Sequence, residues 1–131
     1  MNTLEHMVEA AILTILRDRV DGVHWLHYEH EVVDTEGSSV GIVKLERGEP
    51  VAECFHRSDL VLHVIGARDE THRQIDEALG SRYDLAEELE ALNPELAIRN
   101  IRGWAITRAN EDNIYARTWT NEVEVAYQQT N

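Results

Sequence analysis

The sequence predicts an α+β fold in which two main helices pack on a mostly antiparallel sheet of about four to five strands. Apolar residues recur with helical spacing near the N-terminus and across residues 69–92. β-Branched and aromatic residues instead dominate residues 23–67 and 104–127, as is typical of strands. In chain order the segments read α-β-β-β-α-β-β. Because the 131 residues match the usual size of one domain, we expect a single domain over residues 1–131.

The first helix is predicted between Leu4 and the Asp21-Gly22 pair, which is a typical helix stop. Either Asn2 or Thr3 can cap its first amides, and Glu5 suits the positive end of the helix dipole. Its apolar residues fall on one stripe that would face the core: Leu4, Met7, Val8, Ala11, Ile12, Ile15 and Leu16.

Three strands are predicted next, over Val23–Val33, Val40–Arg47 and Val51–Ala67. An exposed loop at Thr35–Ser39 separates the first two strands. The third strand contains Leu60–Ile65, which is apolar on both faces. Such a strand is expected to lie centrally in the sheet, with other elements covering each side.

The second helical region is predicted to begin at Asp69-Glu70-Thr71 and to end at Asn93-Pro94, with Gly80-Ser81 as a candidate break. A hairpin then closes the chain. Its arms are predicted at Trp104–Arg108 and Ile114–Tyr127, joined by a turn at 109–113. In the second arm, period-two alternation predicts one buried face, formed by Val123, Val125 and Tyr127. The opposite, polar face is formed by Glu122 and Glu124.

Composition excludes several classes of protein. The 12 Lys+Arg and 25 Asp+Glu residues give a formal charge of −13, which argues against binding to a nucleic-acid backbone. The single cysteine, Cys54, excludes an internal disulfide framework and a multi-cysteine zinc site. The sequence has no apolar run of the roughly 20 residues that a membrane span needs. The acidic, apolar N-terminus does not resemble a signal peptide, so we expect synthesis in the cytoplasm and no membrane partner.

The histidine and cysteine patterns do not favour a metal or catalytic site. On a strand, His27 of the His24, His27, His30 series would face away from the other two, so these ligands would not converge. Cys54 and His56 share a strand face, but no third residue orients them as nucleophile and base, and a structural, partly buried cysteine is expected. We therefore expect no metal and no cofactor.

The remaining candidates also have ordinary structural explanations. His63 is expected to be a hydrogen-bonded core or interface residue, and the acids at 87–90 and 111–112 are expected to be solvated. The sequence has no phosphate-binding glycine loop and no nucleophile-elbow motif, so we do not expect an enzyme. A small metal-binding or hydrolytic domain that uses the histidines remains the alternative of a different class.

The ordered pattern of elements resembles a known family, the phage tail terminators of the minor tail protein U type, also called tail-completion proteins. Three segments carry the resemblance: the amphipathic start LEHMVEAAILTILRD, the strand pair VGIVKLERGEPVAECFHRSDLVLHVIGA and the closing hairpin GWAITRANEDNIYARTWTNEVEVAYQ. Together they span most of the chain. None of them is a signature motif, so the likeness is one of pattern and register.

The resemblance implies a structural subunit that forms a homo-oligomeric ring, typically a hexamer. Such a ring caps the tail tube, ends its polymerisation and presents a surface to the head–tail connector protein. Its partners would be copies of itself, the tail-tube protein and the connector, with DNA only passing through the channel. The expected location is the virion tail, after assembly in the host cytoplasm. A neck or head-completion protein, or a component of an injection apparatus, is the related alternative.

Two polar segments and the residues beside them are the predicted contacts with a neighbouring subunit. The polar loop and the hairpin turn are suited to ordering at a neighbour's surface. Trp119 is a candidate for either core or interface, and Arg108 and Arg117 are either intersubunit ion-pair partners or solvated charges. The interface candidates are Asn110, Glu111, Asp112, Asn113, Arg108, Arg117, Trp119, Thr35, Glu36 and Ser38.

Two further expectations concern the ring. The second hairpin arm is longer than a compact fold of this size needs, so part of it is expected to extend a sheet between subunits. Under the ring interpretation, the acids Glu87, Glu88, Glu111 and Asp112 would line the channel and let duplex DNA slide without adhering.

Overall fold

The computed structural model describes residues 3–26, 39–51, 54–80, 82–99, 104–111 and 114–127, with the backbone alone for 82–84, 108–111 and 114–115. These residues form three helices and six strands. In chain order the elements are α1 Leu4–Arg19, β1 Val23–Leu26, β2 Ser39–Pro50, β3 His56–Ile65, α2 Asp69–Leu79, α3 Arg82–Leu92, β4 Leu96–Arg99, β5 Ala105–Glu111 and β6 Ile114–Tyr127.

The six strands form one mixed sheet in the order β1-β2-β3-β6-β4, and β5 also pairs with β6. Four of the strand pairs are antiparallel, whereas β1 runs parallel to β2. The α+β class and the element order are therefore confirmed in outline, with one parallel pair added. None of the helices in the described part of the chain is long and apolar enough to cross a bilayer.

Strands β4 and β5 lie along the same edge of β6. Strand β4 pairs with the end of β6 near Tyr127, and β5 pairs with the beginning of β6 near Ile114. Since β3 occupies the other edge, β6 is paired on both sides over half of its 14 residues, at 116–120 and 124–125. Every residue of β6 has at least one partner in the chain's own sheet, and the extension of a sheet between subunits stays a prediction.

All three helices lie on one face of the sheet and bury it. Helix α1 lies against β2 and contacts both α2 and α3. The buried sheet residues alternate along each strand, as period-two geometry requires. They include Val43, Leu45, Leu60, Leu62, Val64, Trp119, Val123 and Val125. The prediction for β6 holds for Val123 and Val125, but Tyr127 at the strand end is exposed, which corrects that position.

The opposite face, which we call the open face, is not covered by any described helix or strand. The central position predicted for Leu60–Ile65 is confirmed, since β3 lies between β2 and β6. The prediction of cover on both sides is corrected within the described residues: Leu60, Leu62 and Val64 are buried, whereas Val61 and His63 are half-exposed and Ile65 is exposed. Three helices on one side leave the other side of the sheet as surface.

Local capping explains where the helices begin and end. The Thr3 hydroxyl accepts a hydrogen bond from the His6 amide at 3.2 Å, which confirms the predicted cap of α1. Gly80 adopts a φ of 51°, in the region that favours glycine, and separates α2 from α3. Helix α3 ends just before Asn93-Pro94 as predicted, because proline disfavours helical geometry in the preceding residue.

Several predicted boundaries are corrected. Strand β2 continues to Pro50, whereas β3 begins only at His56, after an irregular register between Arg47 and Pro50. The short strand β4 was not predicted. For the predicted strand Val23–Val33, β1 covers Val23–Leu26, and residues 27–38 lie outside the described part.

Candidate assembly surface

The β5–β6 hairpin has a shorter connection than predicted. Glu111 pairs with Ile114, so only residues 112 and 113 separate the paired strands. Ala109, Asn110 and Glu111 therefore belong to β5, and the predicted five-residue turn at 109–113 is corrected. Strand β5 is an edge strand: one side pairs with β6, and no other described strand pairs with it.

The predicted interface residues fall into three groups. Arg108, Asn110 and Glu111 occupy the edge strand β5. Arg117 and Trp119 lie in β6 and are buried. The other five lie outside the described residues: Thr35, Glu36, Ser38, Asp112 and Asn113.

Trp119 is a core residue of the single chain. Its side chain is 0% exposed, and its indole N–H donates to Asp76 Oδ1 at 2.8 Å. The His72 ring, also on α2, lies edge-on to the indole with 5.8 Å between ring centroids. Helix α2 therefore covers Trp119, and of the two predicted alternatives, core or interface, the single chain shows the core position.

Arg117 lies beside Trp119 on the same buried face. The residue is only 8% exposed. Its Nη1 lies 4.0 Å from Asp76 Oδ2. Its guanidinium carbon is 5.5 Å from the centroid of the Trp119 ring, within range of a cation–π contact. The buried Nε has no hydrogen-bond partner in the part of the chain that the structure describes. Arg117 is thus not a solvated charge beside the hairpin, which corrects that interpretation.

The open face carries an uncharged region at the hairpin end of the sheet, which we call the neutral patch. The register aligns its residues in rows across the strands, such as Ile42, His63, Thr118 and Thr107. All of its side chains are half-exposed or exposed. The patch consists of Val40, Ile42, Val61, His63, Ile65, Ala105, Thr107, Ala116, Thr118 and Thr120.

Charges resume on the open face beyond this patch. On β2 the charge begins at Lys44, which is the register partner of the patch residue Val61 and lies 3.7 Å from Glu46. The next rows contain the ion pairs Arg57–Glu122 and Arg99–Glu124, at 3.6 and 3.3 Å. In a chain with 28% charged residues, the neutral patch is therefore an uncharged region within a partly charged face, and depletion of charge is typical of the centre of a protein interface.

The histidines do not assemble a metal site in the described residues. His63 Nδ1 lies 2.7 Å from Thr118 Oγ1, so the predicted hydrogen-bonded histidine is confirmed, on the half-exposed open face. His63 and Glu46 line a shallow depression of about 440 Å³, but Glu46 lies four positions along β2 from Ile42, the register partner of His63. No group of three His, Cys, Asp or Glu residues in the described part could hold a metal ion.

Cys54 is exposed, with a φ of 69°, which corrects the expectation of a partly buried cysteine. Sequence spacing suggested a strand position, but β3 begins only at His56. His24 lies exposed on β1, whereas His27 and His30 lie outside the described residues.

The predicted channel acids do not form one group. Glu88 on α3 pairs with Arg19 at 3.0 Å, and α3 packs on β4 near Tyr127 of β6. Glu111 lies opposite Ile114, at the other end of β6. The ten residue steps from Ile114 to Glu124 span about 33 Å at the usual strand rise. Asp112 lies outside the described residues.

The neutral patch was not predicted, although the sequence contains a signal for it. Alternate positions in four strand segments lack charge, as in Val61, His63, Ile65 and in Ala116, Thr118, Thr120. Only the register shows that these positions lie side by side on the open face. The pattern identified uncharged strand faces, but it did not identify their neighbours.

No protein-family model matches this chain, and no curated protein sequence is similar to it.

Proposed function

We propose that this protein is a structural subunit that assembles with copies of itself into a closed ring, and that the ring is a phage tail terminator. It caps the tail tube, stops polymerisation and presents a surface to the head–tail connector. The proposal rests on the resemblance in element order and on one observation, the neutral patch on the open face.

The neutral patch supports a protein-binding role because of what surrounds it. The chain carries a charge of −13, yet the patch contains no Asp, Glu, Lys or Arg. An uncharged sheet surface buries against another protein without desolvating any charge, whereas burial of a charged surface requires ion pairing. Ile65 contributes a large apolar side chain that is 37% exposed.

The edge strand β5 supports self-association in particular. Ala105, Ile106 and Thr107 are exposed, and one side of their backbone has no ladder partner in the described residues. An edge of this kind accepts a further strand through main-chain hydrogen bonds. Strand β1 closes the other side of the sheet, so the molecule offers two different edges. Two unlike surfaces are what a head-to-tail ring requires.

The central experiment is sedimentation velocity of the purified chain over a wide concentration range, with and without tail-tube protein from the same genome. We expect self-association, rings by negative-stain electron microscopy, and shorter tubes when the chain is added to polymerising tube protein. Ile65→Glu places a charge in the neutral patch and should abolish association. Leu92→Glu is the matched control: it makes the same change at a residue that is 48% exposed on α3.

Two outcomes would contradict the proposal. A strict monomer at high concentration, both alone and with tube protein, would exclude the ring. Equal association of the Ile65→Glu and Leu92→Glu variants would exclude the neutral patch as the contact surface. A ring that binds head connectors without shortening tubes would instead favour the neck or head-completion alternative.

A further inference from the structure

Arg117 holds a buried positive charge that the described side chains neutralise only weakly. Its side chain is 10% exposed, and its buried Nε has no hydrogen-bond partner among the described residues. A guanidinium has five N–H donors, and buried charges in proteins are normally both paired and hydrogen-bonded. Among the described acids, Asp76 is the one that pairs with Arg117, and it lies at 4.0 Å, beyond hydrogen-bond distance.

Asp76 is poorly placed to complete the pair. Its Oδ1 already accepts the indole N–H of Trp119 at 2.8 Å, and its side chain is 47% exposed to solvent. The positions beside Arg117 across the ladders are Val64 on β3 and Arg108 on β5, so neither supplies a carboxylate. The guanidinium lies over the indole ring of Trp119, and His72 of α2 packs against the same indole.

The guanidinium is nevertheless within reach of the surface. Its Nη1 is directed toward the half-exposed carboxylate of Asp76, so the terminal atoms lie at the boundary between the core and solvent. The edge strand β5 runs alongside Arg117, next to the exposed Ile106. A chain that docks on this edge therefore arrives beside the guanidinium.

We infer that Arg117 binds a carboxylate side chain of a second copy of this chain, which completes its hydrogen bonds when the subunits associate. The inference rests on the proposed ring. A second copy supplies the required chemistry, since each chain carries 25 acidic residues against 12 basic ones. A planar guanidinium binds a carboxylate through two parallel hydrogen bonds, so the contact also fixes the orientation of the incoming subunit.

Substitution of Arg117 by Met gives this inference a distinctive signature. Met keeps much of the side-chain length without the charge, and removal of a poorly compensated buried charge is often neutral or stabilising. We expect the dilute Arg117→Met monomer to unfold at the same temperature as the wild type or higher. The same variant should raise the dissociation constant for self-association by about tenfold or more, as for the loss of an interface arginine.

The control is Arg73→Met on α2, because Arg73 is exposed and pairs with Glu70 and Glu77 of its own helix. This variant should leave the dissociation constant unchanged. Arg117→Lys retains the charge but cannot form the two parallel bonds, and should weaken association less than Arg117→Met. If Arg117→Met fails to fold, as judged by circular dichroism, the Lys variant carries the test.

The outcomes separate this inference from the proposed function. A wild-type chain that is strictly monomeric overturns both. In another outcome the wild type associates, and the Arg117→Met variant associates equally well but melts at a lower temperature. That result would make Arg117 a structural residue and would overturn this inference alone. Inorganic phosphate, added at constant ionic strength, tests whether Arg117 binds a free anion instead of a carboxylate of a second copy. If phosphate raises the melting temperature of the dilute wild type but not of Arg117→Met, and association is unaffected, the site binds a free anion and not a second copy.

Discussion

Glu9 connects the first helix to the sheet through one buried hydrogen bond. Its Oε2 accepts the backbone N–H of Leu45 on β2 at 2.8 Å, and the residue is buried. One turn earlier, Glu5 pairs with Arg47 at 2.7 Å. Glu5 and Glu9 of α1 therefore hold the same stretch of β2.

Replacement of Glu9 by Ala should destabilise the fold by about 1–3 kcal/mol, because the buried Leu45 amide loses its acceptor. Glu9→Gln retains an amide oxygen and should cost less. Urea unfolding of the dilute chain measures the difference, and Glu87→Ala, at an exposed position of α3, is the control. Equal effects of the Glu9→Ala and Glu87→Ala variants would show that this hydrogen bond contributes nothing.

Gly41 is required by close packing between β1 and β2. It is the register partner of Trp25, and a Cβ at this position would overlap the indole ring. We expect Gly41→Ala to destabilise the protein by about 1–3 kcal/mol, the usual cost of overpacking a core. Combining it with Trp25→Leu tests the cause. If the ring is responsible, the cost of Gly41→Ala should fall in the Trp25→Leu background; strict additivity would point to another origin.

At the scale of elements, α2 carries a surface charge network that responds to pH. The hydrogen bond from Arg73, together with the charge of that guanidinium, lowers the pKa of Glu70 below its usual 4.5. A lowered folded-state pKa contributes stability that is fully present above the unfolded-state value, which is the usual 4.5. That contribution declines as the pH falls toward the folded-state pKa of Glu70, because the unfolded chain binds the proton first.

Arg73→Met should return the pKa of Glu70 toward its usual value, and NMR titration of the Glu70 carboxyl measures this directly. Near neutral pH the variant should lose only a small amount of stability, since the pair is fully exposed. Below the folded-state pKa of Glu70, the stabilities of variant and wild type should converge. A Glu70 pKa that is unchanged in the variant would contradict the role given to Arg73.

The elements that could be predicted from sequence are those with long periodic patterns. The stripe from Leu4 to Leu16 predicted α1 and its cap, and the apolar run at Leu60 predicted a central strand. Strand β4 has only four residues, too few for a periodic signal, and it becomes recognisable only through its pairing with β6. The connection in the hairpin was predicted too long because Asn110 and Glu111 have low strand propensity, which the pairing with β6 overrides.

The candidate site was less predictable because burial depends on tertiary contacts. Arg117 and Trp119 lie close to a polar turn in sequence, which suggested exposure. Both are covered by α2, whose contact residue Asp76 precedes them in the chain by 41 and 43 positions. Their burial requires the packing of α2 on β6, for which no local pattern gives a signal. The neutral patch was missed for a related reason, since it is assembled from four strands by their register.

At the scale of the whole molecule, charge is concentrated on the helical side. Helices α2 and α3 contain eight acids and two arginines, a net charge of 2 − 8 = −6, whereas the neutral patch on the open face contributes none. Copies of a chain with a charge of −13 repel one another at long range. If they associate through the neutral patch, the attraction itself involves little charge.

Salt should therefore strengthen self-association. The Debye length falls from about 10 Å at 0.1 M to about 3 Å at 1 M, which screens repulsion between acidic surfaces, whereas burial of apolar area does not weaken with salt. A buried Arg117–carboxylate contact is screened much less than exposed charges are. We expect the dissociation constant from sedimentation velocity to fall several-fold as NaCl rises from about 0.05 to 0.5 M. A constant that instead rises steadily with salt would indicate an interface of exposed ion pairs, and would exclude the neutral patch as the main contact between subunits.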